Sequence, residues 1–300
     1  MVRDILNTWK LIVSAPLNRS RKLSALNDWF RWQFSSRLLG WPVVVPYVND
    51  SVLLVEPSMT GATGNIYLGL AEFDDMGFLL HFLGREDLFV DVGANIGSFT
   101  VLASKVVKAE SIAIEALPFT YHKLEKNIRV NNIDDKVYAL NCALGNEVGA
   151  IHFTSGLDTM NHVVAEEDVG QQDVCSVEVK KLDDILGGRV PRLIKIDVEG
   201  YETPVIEGAI QTLQHSDQVA VIMELNGCGK RYGFDDEDLH RKMLSLGYCA
   251  VSYHPMDRKM LEMNQANQEG NTIYIKKENF LSIELSVKNS DTFYVKGQNI

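Results

Sequence analysis

The feature that most constrains this chain is the stretch Asp87-Leu88-Phe89-Val90-Asp91-Val92-Gly93-Ala94-Asn95-Ile96-Gly97-Ser98-Phe99-Thr100. Leu88 to Val92 is a short apolar run with one acid near its end, and Gly93, Asn95 and Gly97 then punctuate every second position before Ser98 opens a helical pattern through Val107. That order reads as strand, turn and helix. Glycine accepts positive φ and asparagine is next best there. With no Cβ at two positions the backbone can pass close to a ligand, and N–H groups at the helix start can point at its polar atoms. A dinucleotide fold calls for G-x-G-x-x-G, whereas this turn has the tighter G-x-N-x-G period. The spacing favours S-adenosylmethionine over NAD. The bland alternative is an ordinary strand-to-helix turn.

Later stretches bear on that alternative. Ser111 to Glu115 is a second apolar strand ending in a carboxylate, and Glu115 lies 18 residues beyond Gly97. A doubly wound fold places there the acid that accepts hydrogen bonds from ribose hydroxyls. Pro118 opens a helix at its first turn, and Val137 to Leu140 is a third strand. The loop after it, Asn141 to Gly145, is where an adenine would be covered, which makes Ala143 a candidate contact. Leu193 to Glu202 is a strand ending in Asp197 and Glu199, two apart. In an extended chain the two project to the same side and can jointly face a cationic centre, a metal ion or a proton to be removed. An acid-rich helix start is the alternative, and it explains Glu202 better than Asp197. Val219 to Glu224 repeats the pattern. Asp91, Glu115, Asp197 and Glu224 would then share the edge of a parallel sheet where ligands bind.

The remainder is less regular. Residues 43–70 alternate in a β manner with turns at Asn49-Asp50 and Gly61-Ala62-Thr63-Gly64, and Glu72 to Leu83 has helical spacing. Its acids Glu72, Asp74 and Asp75 either reach the amino group of a bound amino-acid moiety or are solvated helix-start acids. Residues 146–181 break the helix–strand rhythm as an insertion, and His162 inside it is a substrate candidate or a plain surface histidine. The acid run Asp235 to Asp238 reads as helix capping. Tyr248 to Tyr253 and Asn271 to Lys276 are two late strands, joined by a polar connection through Pro255 and Arg258 that needs no helix.

The chain of 300 residues, 46% hydrophobic, suffices for one large α/β domain plus an appendage. The reading divides it into a basic helical and β lead-in (1–70), a catalytic domain (71–279) and a tail (280–300). Cys142, Cys175, Cys228 and Cys249 are widely spaced, so neither a zinc site nor a disulfide framework is expected. No apolar run approaches the roughly 20 residues of a membrane span, and a cytoplasmic protein is expected. The net charge of −11 argues against a nucleic-acid ligand. It is unevenly spread. Residues 1–40 hold seven basic groups (Arg3, Lys10, Arg19, Arg21, Lys22, Arg31, Arg37) and two acids (Asp4, Asp28), a net +5 that leaves −16 to the rest. Trp9, Trp29 and Trp32 share this segment. It is either a helical cap packed on the main domain or a peripheral contact with an anionic membrane or another subunit.

The motifs Phe89 to Gly97, the acid Glu115, Ile194 to Glu202 and Met223-Glu224 together resemble the FkbM-type class I methyltransferases, over about residues 72–276. The resemblance implies a doubly wound, mostly parallel seven-stranded α/β sheet, order 3-2-1-4-5-7-6 with the last strand antiparallel, binding S-adenosylmethionine. It implies O-methyl transfer to a hydroxyl of a sugar, glycan or natural product. The expected cofactor contacts are Asp91, Gly93, Asn95, Gly97, Glu115 and Ala143. The catalytic pair is Asp197 and Glu199, with His162 and Glu224 as candidate acceptor contacts. No metal site is assigned, and a divalent ion bridging Asp197 and Glu199 is the alternative to a proton-accepting pair. A nucleic-acid methyltransferase and a non-catalytic cofactor-binding scaffold docking through its basic N-terminus are the competing functions.

Overall fold

The computed structural model describes residues 2–39, 42–56, 59–154, 163–164, 174–214, 219–268 and 270–300. The chain opens with two helices, α1 (Val2–Ser14) and α2 (Lys22–Leu39), followed by the hairpin β1 (Val43–Pro46) and β2 (Val52–Val55). Helices α3 (Thr60–Leu68) and α4 (Phe73–Phe82) lead into the first central strand, β3 (Leu88–Val92). The Gly61 to Gly64 stretch, expected as a turn, is therefore part of a helix. Ala62 is buried inside it, and the space for close packing is set by Gly64, where a Cβ would lie 3.1 Å from that of Ala71.

After β3 the chain runs through α5 (Ser98–Val101), a π-helical turn (Leu102–Val107), β4 (Glu110–Ile114), α6 (Pro118–Val130) and β5 (Val137–Leu140). The insertion forms its own small sheet from β6 (Ala143–Leu144), β7 (Gly149–Thr154), β8 (Val163–Val164) and β9 (Val174–Lys180). Helix α7 (Leu182–Leu186), β10 (Leu193–Ile196), α8 (Glu202–Glu207), α9 (Ile210–Gln214) and β11 (Ala220–Glu224) follow. Last come α10 (Asp236–Ser245), β12 (Tyr248–His254), β13 (Lys259–Met263), β14 (Asn271–Lys276), α11 (Phe280–Lys288) and the hairpin β15 (Tyr294–Val295) and β16 (Gln298–Asn299). Asp235 caps α10, its carboxylate accepting from the N–H groups of Glu237 and Asp238, whereas Asp236 accepts from the Gly227 N–H and Asp238 pairs with Arg241.

The central sheet has the order β5-β4-β3-β10-β11-β14-β12-β13. Its first seven strands reproduce the expected order, with β14 antiparallel to both neighbours and the pairs from β5 to β11 parallel. The expectation of seven strands is one short. The polar connection after β12 turns at Arg258 (φ 51) and returns as β13, antiparallel to β12. Only Met260 of that strand is buried, so its apolar signal is too thin to read as a strand from sequence.

Alternation along the strands covers both faces. Phe89, Ala220 and Ile222 point to a core shared with α4, α6 and α11, whereas Leu88, Val90, Val221 and Met223 point to one built with α7 to α10. The region after β14, unread in the sequence, buries Ile283, Val287, Val295 and Ile300 in the first core. All four cysteines are free. Among the described residues no helix is long and apolar enough to cross a membrane.

Two asparagines stitch the N-terminal hairpin to this frame. Asn131 accepts from the Val52 N–H at 3.0 Å and donates to the Val52 carbonyl at 2.8 Å, as a neighbouring strand would. Asn127, fully buried, accepts from the Leu54 N–H at 2.7 Å and donates to the Ile96 carbonyl at 3.0 Å, which also fixes the glycine turn. Replacing Asn127 by Leu strands at least two buried backbone groups. Urea unfolding should show a loss of about 1–3 kcal/mol per stranded group.

Candidate active site

The carboxyl ends of β3, β4 and β10 meet around one cavity of about 350 Å³. Its lining includes Asp91, Gly93, Asn95, Glu115, Ala143, Asp197 and Glu199, seven of the residues singled out in the sequence. Gly97 lies inside the same turn with φ 89, Gly93 has φ 75 and Asn95 φ 53, the left-handed geometry that the G-x-N-x-G period requires. The turn is shaped by the protein first. A Cβ on Gly93 would sit 1.9 Å from the Asp197 carbonyl oxygen, so glycine is what lets the two strand ends touch. The Gly93 and Ala94 N–H groups both donate to the Ile114 carbonyl, and Gly97 N–H donates to that of Ala94. These donors, expected to face a ligand, are thus spent inside the turn, which offers a ligand its close backbone surface.

Glu115 closes the turn from β4. It is buried, accepting from Asn95 N–H at 2.9 Å on one oxygen and Leu117 N–H at 3.0 Å on the other. Burial pushes its pKa up to about 7 against those two bonds. Asp91 is also buried. Thr100 Oγ1 donates to its Oδ2 at 2.6 Å, while its Oδ1 has no hydrogen-bond partner among the described residues. Burial raises the Asp91 pKa, opposed chiefly by Lys195.

Lys195 is the residue that the sequence reading passed over. It stands in the middle of the apolar strand β10, is 3% exposed and donates to Asp197 Oδ2 at 2.8 Å. Burial, the largest influence, disfavours its charge, yet the carboxylates of Asp197, Glu72 and Asp91 together hold the ammonium above its ordinary pKa. The available signal was a lysine between isoleucines in a buried strand, which requires an acidic partner. Glu72, at the N-cap of α4, also lines the cavity. Asn271 donates to Glu72 Oε2 at 2.6 Å and to Asp75 Oδ2 at 3.1 Å. Burial raises both acids, Asp75 to about 8.

Asp197 and Glu199 come together with Glu224, one oxygen of each lying within 4.8 Å of the others. The expected extended geometry is not how they meet. Strand β10 ends at Ile196 and Glu199 is left-handed (φ 54), so a turn folds the two acids toward each other. Glu202, the acid that the helix-start reading explained best, accepts from Val198 and Gly200 N–H groups at 3.1 Å and braces that turn. Burial raises Glu199, with Asp197 adding to it, and pushes Glu224 up to about 8 with help from Asp197 and Glu199. Three carboxyls so placed can share a proton or hold a divalent cation. Glu224 does not line the cavity itself but stands behind Asp197 and Glu199, with Asn226 donating to it at 2.8 Å. His162 lies outside the described residues.

Residues 91–249 match the methyltransferase FkbM domain, more than half of the chain. The chain belongs to the FkbM methyltransferase family. Among curated relatives, the methyltransferase sdnD of Sordaria araneosa is 29% identical, covering 42% of this chain and 61% of that protein, so this FkbM chain spans about three fifths of it. The hexuronic acid methyltransferase AglP of Haloferax volcanii is 30% identical, covering 62% of this chain and 73% of that one. Among solved structures, the precorrin-6y C5,15-methyltransferase of Geobacter metallireducens is similar at TM-score 0.42 and 9% identity, covering 74% of this chain and 93% of that one.

Two outcomes follow from the site's charges. Removing the ammonium, as in Lys195→Met, leaves buried acids uncompensated and should cost about 3–5 kcal/mol in urea unfolding. The second concerns pH. Glu115, Asp75 and Glu224 have folded pKa values of about 7, 8 and 8, above their ordinary 4.5, 3.8 and 4.5, so the folded protein binds more protons than the unfolded chain between those limits. Stability of the ligand-free protein should therefore fall as pH rises from about 4.5 to 8. Thermal melts across that range check it, and Glu224→Gln should flatten the slope.

Proposed function

We propose that this FkbM-family chain is an S-adenosylmethionine-dependent O-methyltransferase whose acceptor is a hydroxyl of a sugar or small molecule. The observation that carries the reading is one cavity in which a shape-restricted glycine turn, the strand-end acid Glu115 and the Asp197 and Glu199 carboxylates meet, with Glu224 beside that pair. The residues fit the cofactor. Gly93 to Gly97 present close backbone surface, Glu115 stands at the end of β4 with lone pairs left for ribose hydroxyls, and Asp91 has a buried oxygen with no hydrogen-bond partner among the described residues. Glu72 supplies a further carboxylate for an ammonium, and Ala143 offers a small apolar wall for a base. The cofactor, when bound, supplies a methyl group on a positively charged sulfur. Residues 71–279 would form the catalytic domain, with residues 1–70 as a lead-in.

The protein's own work is to place the acceptor and take its proton. Lys195 holds Asp197 in one orientation through a 2.8 Å bond. A hydroxyl is a weak nucleophile while protonated, and a positioned base contributes on the order of 10²–10⁴ in rate. Asp197 orients the hydroxyl, and Glu199, with its raised pKa, receives the proton, the carboxyl of Glu224 sharing it. A carboxylate whose pKa is raised by burial is a stronger base than an ordinary one, which suits it to take the proton. The acceptor class is supported by the relative named as a hexuronic acid methyltransferase, and by the acidic balance of the chain, which disfavours a nucleic acid.

Calorimetry should show binding of S-adenosylmethionine or its demethylated product and none of NAD. With labelled cofactor and a panel of sugar acceptors, the Asp197→Asn, Glu199→Gln double variant should keep cofactor binding and lose at least about 10² in turnover. Full turnover in that variant would remove the two acids from the chemistry. Loss of activity on chelation with recovery on Mg²⁺ would turn the carboxylate group into a metal site instead.

A further inference from the structure

Helix α2 has apolar residues on two opposite sides. Ala25, Trp29 and Trp32 turn inward, where α2 packs on α1 and α3 and Trp32 joins the core. Leu23, Phe30, Phe34 and Leu38 turn outward, 86%, 52%, 70% and 67% exposed. Their spacing of seven, four and four residues keeps them in one stripe along the helix. An apolar stripe of this length facing water marks an interaction surface. Edge-on rings of Trp9, Trp29 and Phe30, with centroids 4.9–5.7 Å apart, brace it from beneath.

The charges say what the stripe meets. Lys22, Arg31 and Arg37 are exposed along its two flanks, and Lys10 and Arg19 are exposed nearby. The one acid between residues 5 and 38, Asp28, is turned away into ion pairs with Arg21 at 2.9 Å and Lys296 at 3.1 Å. The rest of the chain carries −16 against +5 for residues 1–40. We propose that the outer face of α2 docks the protein on an anionic phospholipid bilayer, the four apolar side chains entering the headgroup boundary and the basic flanks meeting lipid phosphates. A short apolar stripe with cationic flanks is the arrangement of a helix lying in that interface. The charge asymmetry favours this orientation, because the rest of the chain carries a net negative charge. A second copy of the chain is a poorer occupant, since a two-fold contact through this stripe would set the same basic flanks against each other. The docked face lies one helix from the cavity: Gln33 donates to the Tyr67 hydroxyl at 2.9 Å, and Asn65 of the same helix, α3, lines the site.

The proposal is independent of methyl transfer, and so is its test. The full chain is floated with vesicles of phosphatidylcholine alone, or with about a third phosphatidylserine, at low and raised ionic strength. Binding is expected to the anionic vesicles only, and to weaken with salt. Lys22→Gln, Arg31→Gln, Arg37→Gln together should lower partition about a hundredfold, the equivalent of about 1 kcal/mol per charge. Leu23→Ser, Phe30→Ser, Phe34→Ser, Leu38→Ser together should lower it at least about tenfold with cofactor binding unchanged. Equal binding to both vesicle types, or wild-type partition in either variant, overturns the proposal. So does a doubled mass in light scattering, lost in the serine variant, with no vesicle binding in the wild type.

Discussion

The bond between Lys195 and Asp197 is the interaction on which the site depends. An ammonium buried in a β-strand is unfavourable alone, and so are the acids around it. Together they let four strand ends bring negative charge to one place without opening the sheet. Asp197 in turn supplies the carbonyl that presses on Gly93, so the ion pair and the glycine turn share a residue. The turn also leans on Glu115 through Asn95 and on Asn127 through Ile96. A change at any of these positions is felt at the others through these shared contacts.

What the sequence disclosed was local chemistry. The G-x-N-x-G period needs only its own backbone to be read, and Asp91, Glu115, Asp197 and Glu224 announced themselves as single acids closing apolar runs. The strand order followed from the resemblance that those motifs carry. Features whose meaning lies in a distant partner stayed hidden. Lys195 reads as an oddity until Glu72, more than a hundred residues earlier, is seen beside it. Asn127 and Asn131 look like ordinary helix-end residues, yet they act as a surrogate strand for residues 52–54. The strand β13 has one buried side chain, too little for periodicity to register.

The acids of the cavity are unequal, and the inequality comes from what each one touches. Glu115 and Glu202 accept two backbone N–H groups each, which holds them in place while burial raises them. Asp197 has a full counter-charge. Glu199 and Glu224 lie beside Asp197 and each other, and burial and those neighbouring acids raise both. A site that gathers carboxylates can thus assign some to architecture and raise the basicity of others.

The hairpin of β15 and β16 joins distant parts of the chain. Tyr294 and Asn49 exchange bonds, N–H to side chain at 2.7 Å and N–H to carbonyl at 2.9 Å, across a separation of 245 residues, and Lys296 reaches Asp28 and the Ile66 carbonyl. During synthesis the first helices and the β1–β2 hairpin leave the ribosome long before these partners exist. The Val48–Val295 bridge and the Leu17 carbonyl's bond from Gln298 form only after residues 294–300 are made. The last residues made are thus the ones that clamp the first helices and hairpin in place.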